Sequence, residues 1–297
     1  MRHFVAWGGT YGHDSLRWIM AAYAQTARKL GWRVDWVPDE AFSRRVITAE
    51  STVLTADRWS EHVGEAVEGA RYVVHNYDGS HELCQSAAPE NLLRLQVWTN
   101  DASGEDWGPY RRFDKAGSIL FQPWGADLLA EEFMEPTLDP TSRVVPFVGA
   151  VWSDVHDGVE MGNEAVITEV REACAELKLE FRHLTQIPTE AMVRQIRAAR
   201  LVPAFAGAWQ VERNYIPCRV LKAAACGTLP LTNVPGCLDI LGGAALHGSV
   251  GEVMQEALAM GQARYLSLVR EAQRNVSKFT YRESLTAIER AFEELAA

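Results

Sequence analysis

Residues 214–236 read Asn-Tyr-Ile-Pro-Cys-Arg-Val-Leu-Lys-Ala-Ala-Ala-Cys-Gly-Thr-Leu-Pro-Leu-Thr-Asn-Val-Pro-Gly. Pro217 suits the first turn of a helix, where its missing N–H has no hydrogen bond to lose. Val220, Leu221, Ala224 and Ala225 then supply one apolar face, and Gly227 stops the helix with a residue that accepts the left-handed conformation. Thr228 to Thr232 predicts a short buried strand, and Asn233 to Gly236 a turn. A loop, helix, stop, strand and turn in this order belong to an α/β protein, in which ligands gather where strands end.

The same grammar extends in both directions. Upstream, Val144 to Val148 reads as a strand ending in Gly149, Ala165 to Leu179 as an amphipathic helix, Glu180 to Leu184 as a strand, Thr189 to Ala199 as a helix and Leu201 to Phe205 as a strand. Downstream, helical spacing covers 249–261, 262–278 and Tyr281 to Leu295. An independent series opens the chain: a strand at Phe4 to Trp7, a glycine-rich turn, a helix ending at Gly31 and a strand from Arg33 to Val37. Further strands are expected at 72–75, 93–98 and 118–122. Between the two series, Met134-Glu-Pro-Thr-Leu-Asp-Pro-Thr141 has two prolines and no periodic face. The expected organisation is therefore an N-terminal Rossmann-like domain at 1–130, a second at 143–280 and a terminal helix at 281–297.

Composition narrows the function classes. The chain has 297 residues, 47% of them hydrophobic, which is enough for two cores. Lys and Arg number 29 against 39 Asp and Glu, a net charge of −10, so a general phosphate-neutralising surface for nucleic acid is disfavoured. The five cysteines form no Cys-x-x-Cys pair and fit a reduced, cytoplasmic protein. No apolar run approaches the length of a membrane span.

Residues 215–233 resemble the donor-sugar segment of GT-B glycosyltransferases, in which a helix ending Ala-Cys-Gly leads into a short strand. Phe121-Gln-Pro-Trp-Gly-Ala-Asp127 resembles a segment by the interdomain cleft of the spore-maturation-type members. Gly8-Gly-Thr-Tyr-Gly-His13 departs from the dinucleotide fingerprint, which would need a glycine at Trp7, and is similar to the N-terminal loop of the GT-B GlcNAc transferase that makes lipid II. The resemblance implies two Rossmann-like domains facing each other across a cleft. It implies transfer of a sugar from a nucleotide-sugar donor to an acceptor hydroxyl, the nucleotide sugar being a substrate rather than a cofactor. The chain has no Asp-x-Asp, which favours metal-independent transfer. Ala-Cys-Gly-Thr-Leu-Pro230 is also similar to phage transferases that glucosylate modified cytosine, so DNA stays among the acceptors. A sugar-nucleotide 2-epimerase and a non-catalytic binding protein are the alternatives.

The site residues follow from these segments. Gly8, Gly9, Thr10 and Gly12 let a backbone approach a phosphate at a helix N-terminus. Arg213, Asn214, Tyr215, Arg219, Lys222, Thr232 and Asn233 are the expected donor contacts. The family's Glu-x7-Glu falls on Asn214 and Lys222, and a lysine cannot grip a ribose diol as a carboxylate does. Arg219 and Lys222 lie three apart on a helix, with Arg213 just ahead, so the three are expected to converge on a diphosphate. His13 and Asp101 are the candidate bases, and the ordinary role for Asp127 is to cap the helix after it.

Overall fold

The computed structural model describes residues 1–8, 15–37, 46–56, 63–75, 82–100, 108–156, 159–185 and 187–297. They divide into two compact units. The first comprises Met1–Thr99, Gly108–Pro123 and Tyr281–Ala297; the second is Trp124–Thr280 together with Asn100.

In the first unit, β1 (His3–Trp7), β2 (Arg33–Val37), β3 (Ser51–Ala56), β4 (Arg71–His75), β5 (Leu92–Gln96), β6 (Phe113–Asp114) and β7 (Ile119–Phe121) form one sheet in the order β2-β1-β3-β4-β5-β7-β6. All neighbours are parallel except β6 and β7. Strands β1 and β3 are buried along their whole length. The sequence does not announce β3, because Ser51, Thr52 and Thr55 give it the look of a polar loop. In the fold each hydroxyl has a partner: Ser51 Oγ lies 2.8 Å from His3 Nδ1, Thr52 donates to Glu289 and Thr55 donates to the Ala56 carbonyl. The terminal helix Tyr281–Ala296 buries Tyr281, Leu285, Ile288 and Phe292, one helical stripe, and packs on the helix Ser15–Lys29. Tyr23 and Tyr281 meet edge to face there, ring centroids 4.5 Å apart.

The second unit holds β8 (Val144–Val148), β9 (Ser153–His156), β10 (Val159–Gly162), β11 (Glu180–Leu184), β12 (Val202–Pro203), β13 (Pro230–Thr232) and β14 (Leu246–His247). β11 pairs with β8, and β12 with β13 and then β14, all parallel. β12 lies beside β8 without a ladder of hydrogen bonds between them, so the two-stranded β11-β8 and the three-stranded β12-β13-β14 follow one another in the spatial order β11-β8-β12-β13-β14. Three of these strands carry a proline: Pro146, Pro203 and Pro230. The antiparallel hairpin β9–β10 stands between β8 and the helix Glu164–Glu176. The core beneath the sheet includes Phe147, Ile167, Val170, Phe205, Leu231, Met254 and Tyr265, each large apolar side chain contributing roughly 1.5–3 kcal/mol by burial. Tyr265 is fully buried, and its hydroxyl accepts from Leu229 N–H at 3.0 Å and donates to the Arg200 carbonyl at 3.3 Å.

The unit boundary differs from the break read in the sequence. Residues 124–142 belong to the second unit because they run along the helix Cys218–Ala225 and its stop: Met134 N–H donates to the Ala225 carbonyl and Thr137 N–H to the Gly227 carbonyl, both at 2.9 Å. Among the described residues no helix is long and apolar enough to cross a membrane.

Cys174, Cys218, Cys226 and Cys237 are free thiols. Burial pushes Cys174 and Cys226 up to about 11 and Cys237 up to about 12. At pH 8 a thiol titrating near 11 is ionised in roughly one molecule in a thousand. Iodoacetamide at that pH is therefore expected to leave Cys174, Cys226 and Cys237 unmodified in the native protein and to modify all three after denaturation, as read by peptide mass spectrometry.

Candidate functional site

In the second unit the chain leaves β8, forms β11 on one side, and returns to place β12 on the other. The carboxyl ends of β8 and β12 are thus a topological switch point, where the two connections diverge and where open α/β sheets leave a crevice for ligands. One side chain reaches both strand ends. Arg219, on the helix Cys218–Ala225, donates from Nη2 to the Phe205 carbonyl just past β12, at 3.1 Å. Its Nη1 sits 3.2 Å from where a Cβ on Gly149, the residue after β8, would be. The guanidinium lies over the Phe147 ring, Cζ to centroid 4.6 Å. Gly149 has φ +137°, a backbone suited to glycine, so both its conformation and the arginine in front of it require the missing side chain.

Burial pulls the Arg219 guanidinium below its ordinary value, an effect that Cys218 and Tyr215 only partly offset. It has no carboxylate partner among the described residues, and its Nε is buried without a hydrogen bond. An arginine in proteins does not surrender its proton, so this is a partly buried cation with no counter-charge among the described residues. Such a group favours an anion.

Two amide side chains fix the crevice walls. Buried Asn163 accepts from Trp152 N–H and donates to the Ala150 carbonyl, both at 3.0 Å, which ties the loop after β8 to the start of the helix Glu164–Glu176. Asn233 accepts from Ala206 N–H and donates to its carbonyl, both at 2.8 Å, and so continues the ladder past β12. Gly207 and Gly162 bring the two walls into contact: a Cβ on Gly207 would overlap the Gly162 carbonyl oxygen. Backbone cannot yield as a flexible side chain does. Gly207→Ala is expected to cost about 1–3 kcal/mol and to lower Tm by roughly 3–10 °C in a calorimetric scan.

The remaining expected contacts separate from Arg219. Lys222 does not join it on one anion: the lysine is buried and its Nζ lies 2.7 Å from Asp127 Oδ2. Burial lowers the ammonium, and the Asp127 carboxylate foremost, with Cys218 and Cys226, more than reverses this, so Lys222 ends above its ordinary value. Asp127 is accordingly an ion-pair partner rather than a helix cap. Arg213 folds back on its own helix, 4.2 Å over the Trp209 ring and 3.3 Å from the Trp209 carbonyl. Asn214, at φ +52°, accepts from Gly236 N–H at 2.7 Å and thereby closes the start of the helix Gly236–Leu241. Tyr215 is raised by burial foremost, and its hydroxyl accepts from Trp124 Nε1 at 2.9 Å. Thr232 is wholly buried and accepts from Val234 N–H. In the first unit Gly8 follows β1 with φ +86°, its N–H donating to the Val37 carbonyl and its own carbonyl accepting from Trp36 Nε1. Gly9, Thr10, Gly12, His13 and Asp101 lie outside the described residues.

Gly149, Asn163 and His183 are additions to the sequence reading. Gly149 marks a strand end legibly, and Asn163 stands where an N-cap would. His183 gives no signal in the sequence, since only the β11–β8 pairing brings it to Gly149.

No family model and no curated protein matches the chain. Solved structures do. An α-glucosyltransferase in complex with UDP and a 13-mer DNA containing a HMU base superposes with a TM-score of 0.59 at 12% identity, over 97% of this chain and 99% of that one. This is a GT-B fold. A UDP-forming α,α-trehalose-phosphate synthase from Burkholderia xenovorans shares the GT-B likeness at TM-score 0.51 and 10% identity, over 97% of this chain and 81% of the other. The N-terminal domain of a Candida albicans trehalose-6-phosphate phosphatase does so at 0.54 and 8%, over 100% and 97%. At these identities the likeness is one of GT-B architecture and assigns no residue a role.

Proposed function

We propose that the protein is a glycosyltransferase that takes its sugar from a nucleoside diphosphate donor and binds the donor's diphosphate at the carboxyl ends of β8 and β12, against Arg219. The observation that carries this reading is the partly buried guanidinium laid across both strand ends with Nε unpaired. A diphosphate supplies the missing counter-charge, and the GT-B fold supplies the class of reaction. Arg219 holds charge on the leaving diphosphate as the glycosidic bond breaks, which is electrostatic stabilisation by a preorganised donor. The cation and the lack of an Asp-x-Asp support transfer without a metal. His13 and Asp101 carry the acid–base role toward the acceptor hydroxyl in this reading. Free thiols support a reducing, cytoplasmic setting.

Titration calorimetry with UDP, GDP, ADP and TDP in chelator tests the donor site, and a chain that binds none of them is not a nucleotide-sugar enzyme. Product analysis with the matching sugar nucleotide then separates transfer and slow donor hydrolysis from 2-epimerisation and from binding alone. DNA with a hydroxymethylated base is the one acceptor favoured by a specific observation, the likeness to an α-glucosyltransferase solved on such DNA. The net charge of −10 limits that reading to a local groove. Labelled sugar appearing on hydroxymethylated but not on unmodified duplex is the result that supports it.

A further inference from the structure

Gly149 is held from β11 at both of its polar groups. Its N–H donates to the Leu184 carbonyl at 3.1 Å, and its carbonyl oxygen lies 2.7 Å from Nε2 of the exposed His183. A carbonyl only accepts, so Nε2 carries the hydrogen. The peptide between Gly149 and Ala150 is planar and trans, so the Ala150 N–H points opposite to that carbonyl, away from His183. The Ala150 N–H donates no hydrogen bond among the described residues, while its own carbonyl is taken by Asn163. The His183 ring also flanks Phe147, centroids 5.9 Å apart, and Phe147 is the ring on which Arg219 lies.

We infer that His183 is a positioning residue for the donor site: by fixing the Gly149–Ala150 peptide it presents the Ala150 N–H, beside the Arg219 guanidinium, as a second hydrogen-bond donor to a phosphate oxygen. This rests on the proposed diphosphate site and adds to it a backbone donor and the side chain that aims it. Gly149 alone could not hold the peptide, because glycine samples positive and negative φ with similar ease. With both polar groups bonded to β11, the peptide is set before any ligand arrives, and binding an anion then costs little ordering.

The test is UDP affinity by calorimetry in His183→Ala, His183→Gln and Arg219→Met, with Tm recorded for each. His183→Ala is expected to weaken UDP about tenfold, the scale of one charge-assisted hydrogen bond mis-aimed. His183→Gln, whose amide N–H reaches a similar position, is expected to return to within about threefold of the parent. Because His183 is exposed, Tm should stay within about 2 °C in both. Unchanged affinity in His183→Ala together with a loss in Arg219→Met overturns the positioning role and leaves the diphosphate site standing. Equal losses in the Ala and Gln variants also overturn it, since the donated hydrogen bond would not be the agent. No loss in any of the three removes the diphosphate site itself.

Discussion

Arg219→Met is expected to weaken nucleoside diphosphate binding by about 10- to 150-fold while the protein stays folded. Methionine keeps an unbranched stem over Phe147 and discards the charge and its hydrogen bonds. A charged hydrogen bond lost from a ligand is worth roughly 1.5–3 kcal/mol, which is that range of affinity. The folded state loses the bond to the Phe205 carbonyl, about 1 kcal/mol, and the cation–π contact with Phe147, about 0.5–1 kcal/mol, so Tm should fall by no more than about 8 °C. Removing a partly buried cation that has no carboxylate partner among the described residues works in the opposite direction and narrows the fall. Arg219→Lys sharpens the result, because lysine keeps the charge but has no planar fork to span the ends of β8 and β12. It should fall between the parent and Met. Calorimetry that finds UDP binding Arg219→Met as tightly as the parent would place the phosphates elsewhere.

The larger effect on stability is expected from the partner pair. Lys222→Glu sets a second carboxylate against Asp127 where a 2.7 Å ion pair stood, with the lysine position buried and the Asp127 side chain 28% exposed. Removing one partner of such a pair leaves an uncompensated charge and costs about 3–5 kcal/mol, or roughly 6–20 °C in Tm. Reversing the pair, Asp127→Lys with Lys222→Glu, should restore a substantial part of the loss, and the coupling in that double-mutant cycle measures the pair directly. The raised Lys222 value sets the pH window. A group held above its unfolded value contributes stability that is complete below the unfolded value and is lost only as pH rises through the folded one, so this pair is intact throughout the neutral range. The competing outcome is concrete: a Lys222→Glu protein that keeps its Tm and binds nucleotide better would return this position to the ligand, as the Glu-x7-Glu alignment would have it.

Most of the architecture was legible in the sequence, because buried parallel strands are apolar runs and their helices carry stops such as Gly31 and Gly227. β3 was not, since its hydroxyls resemble a loop until His3, Glu289 and the backbone are known to receive them. The hairpin β9–β10 was not read either, since Ser153 to His156 and Val159 to Gly162 contain no long apolar run. The site was legible to the level of the helix and no further. Spacing correctly put Arg219 and Lys222 on one helix, but long side chains choose partners by what lies within reach: Phe205 stands 14 residues before Arg219, whereas Asp127 comes from a distant part of the chain. One cation turned toward the strand ends and the other to an internal carboxylate, a division that residue spacing does not encode.

The prolines of the second unit bear on how this chain avoids aggregation. An intruding strand is templated by a row of free backbone amides, and Pro146, Pro203 and Pro230 delete one each from β8, β12 and β13. β12 is only two residues long, so in a partly unfolded chain it offers a neighbouring molecule a single amide to copy. Its place beside β13 is secured by backbone pairing and, just past its end, by Asn233 on Ala206 and Arg219 on Phe205, side-chain contacts that a foreign strand lacks. The half of the molecule that carries the candidate site therefore has strands that recognise their own neighbours through side chains and present a poor template to any other chain.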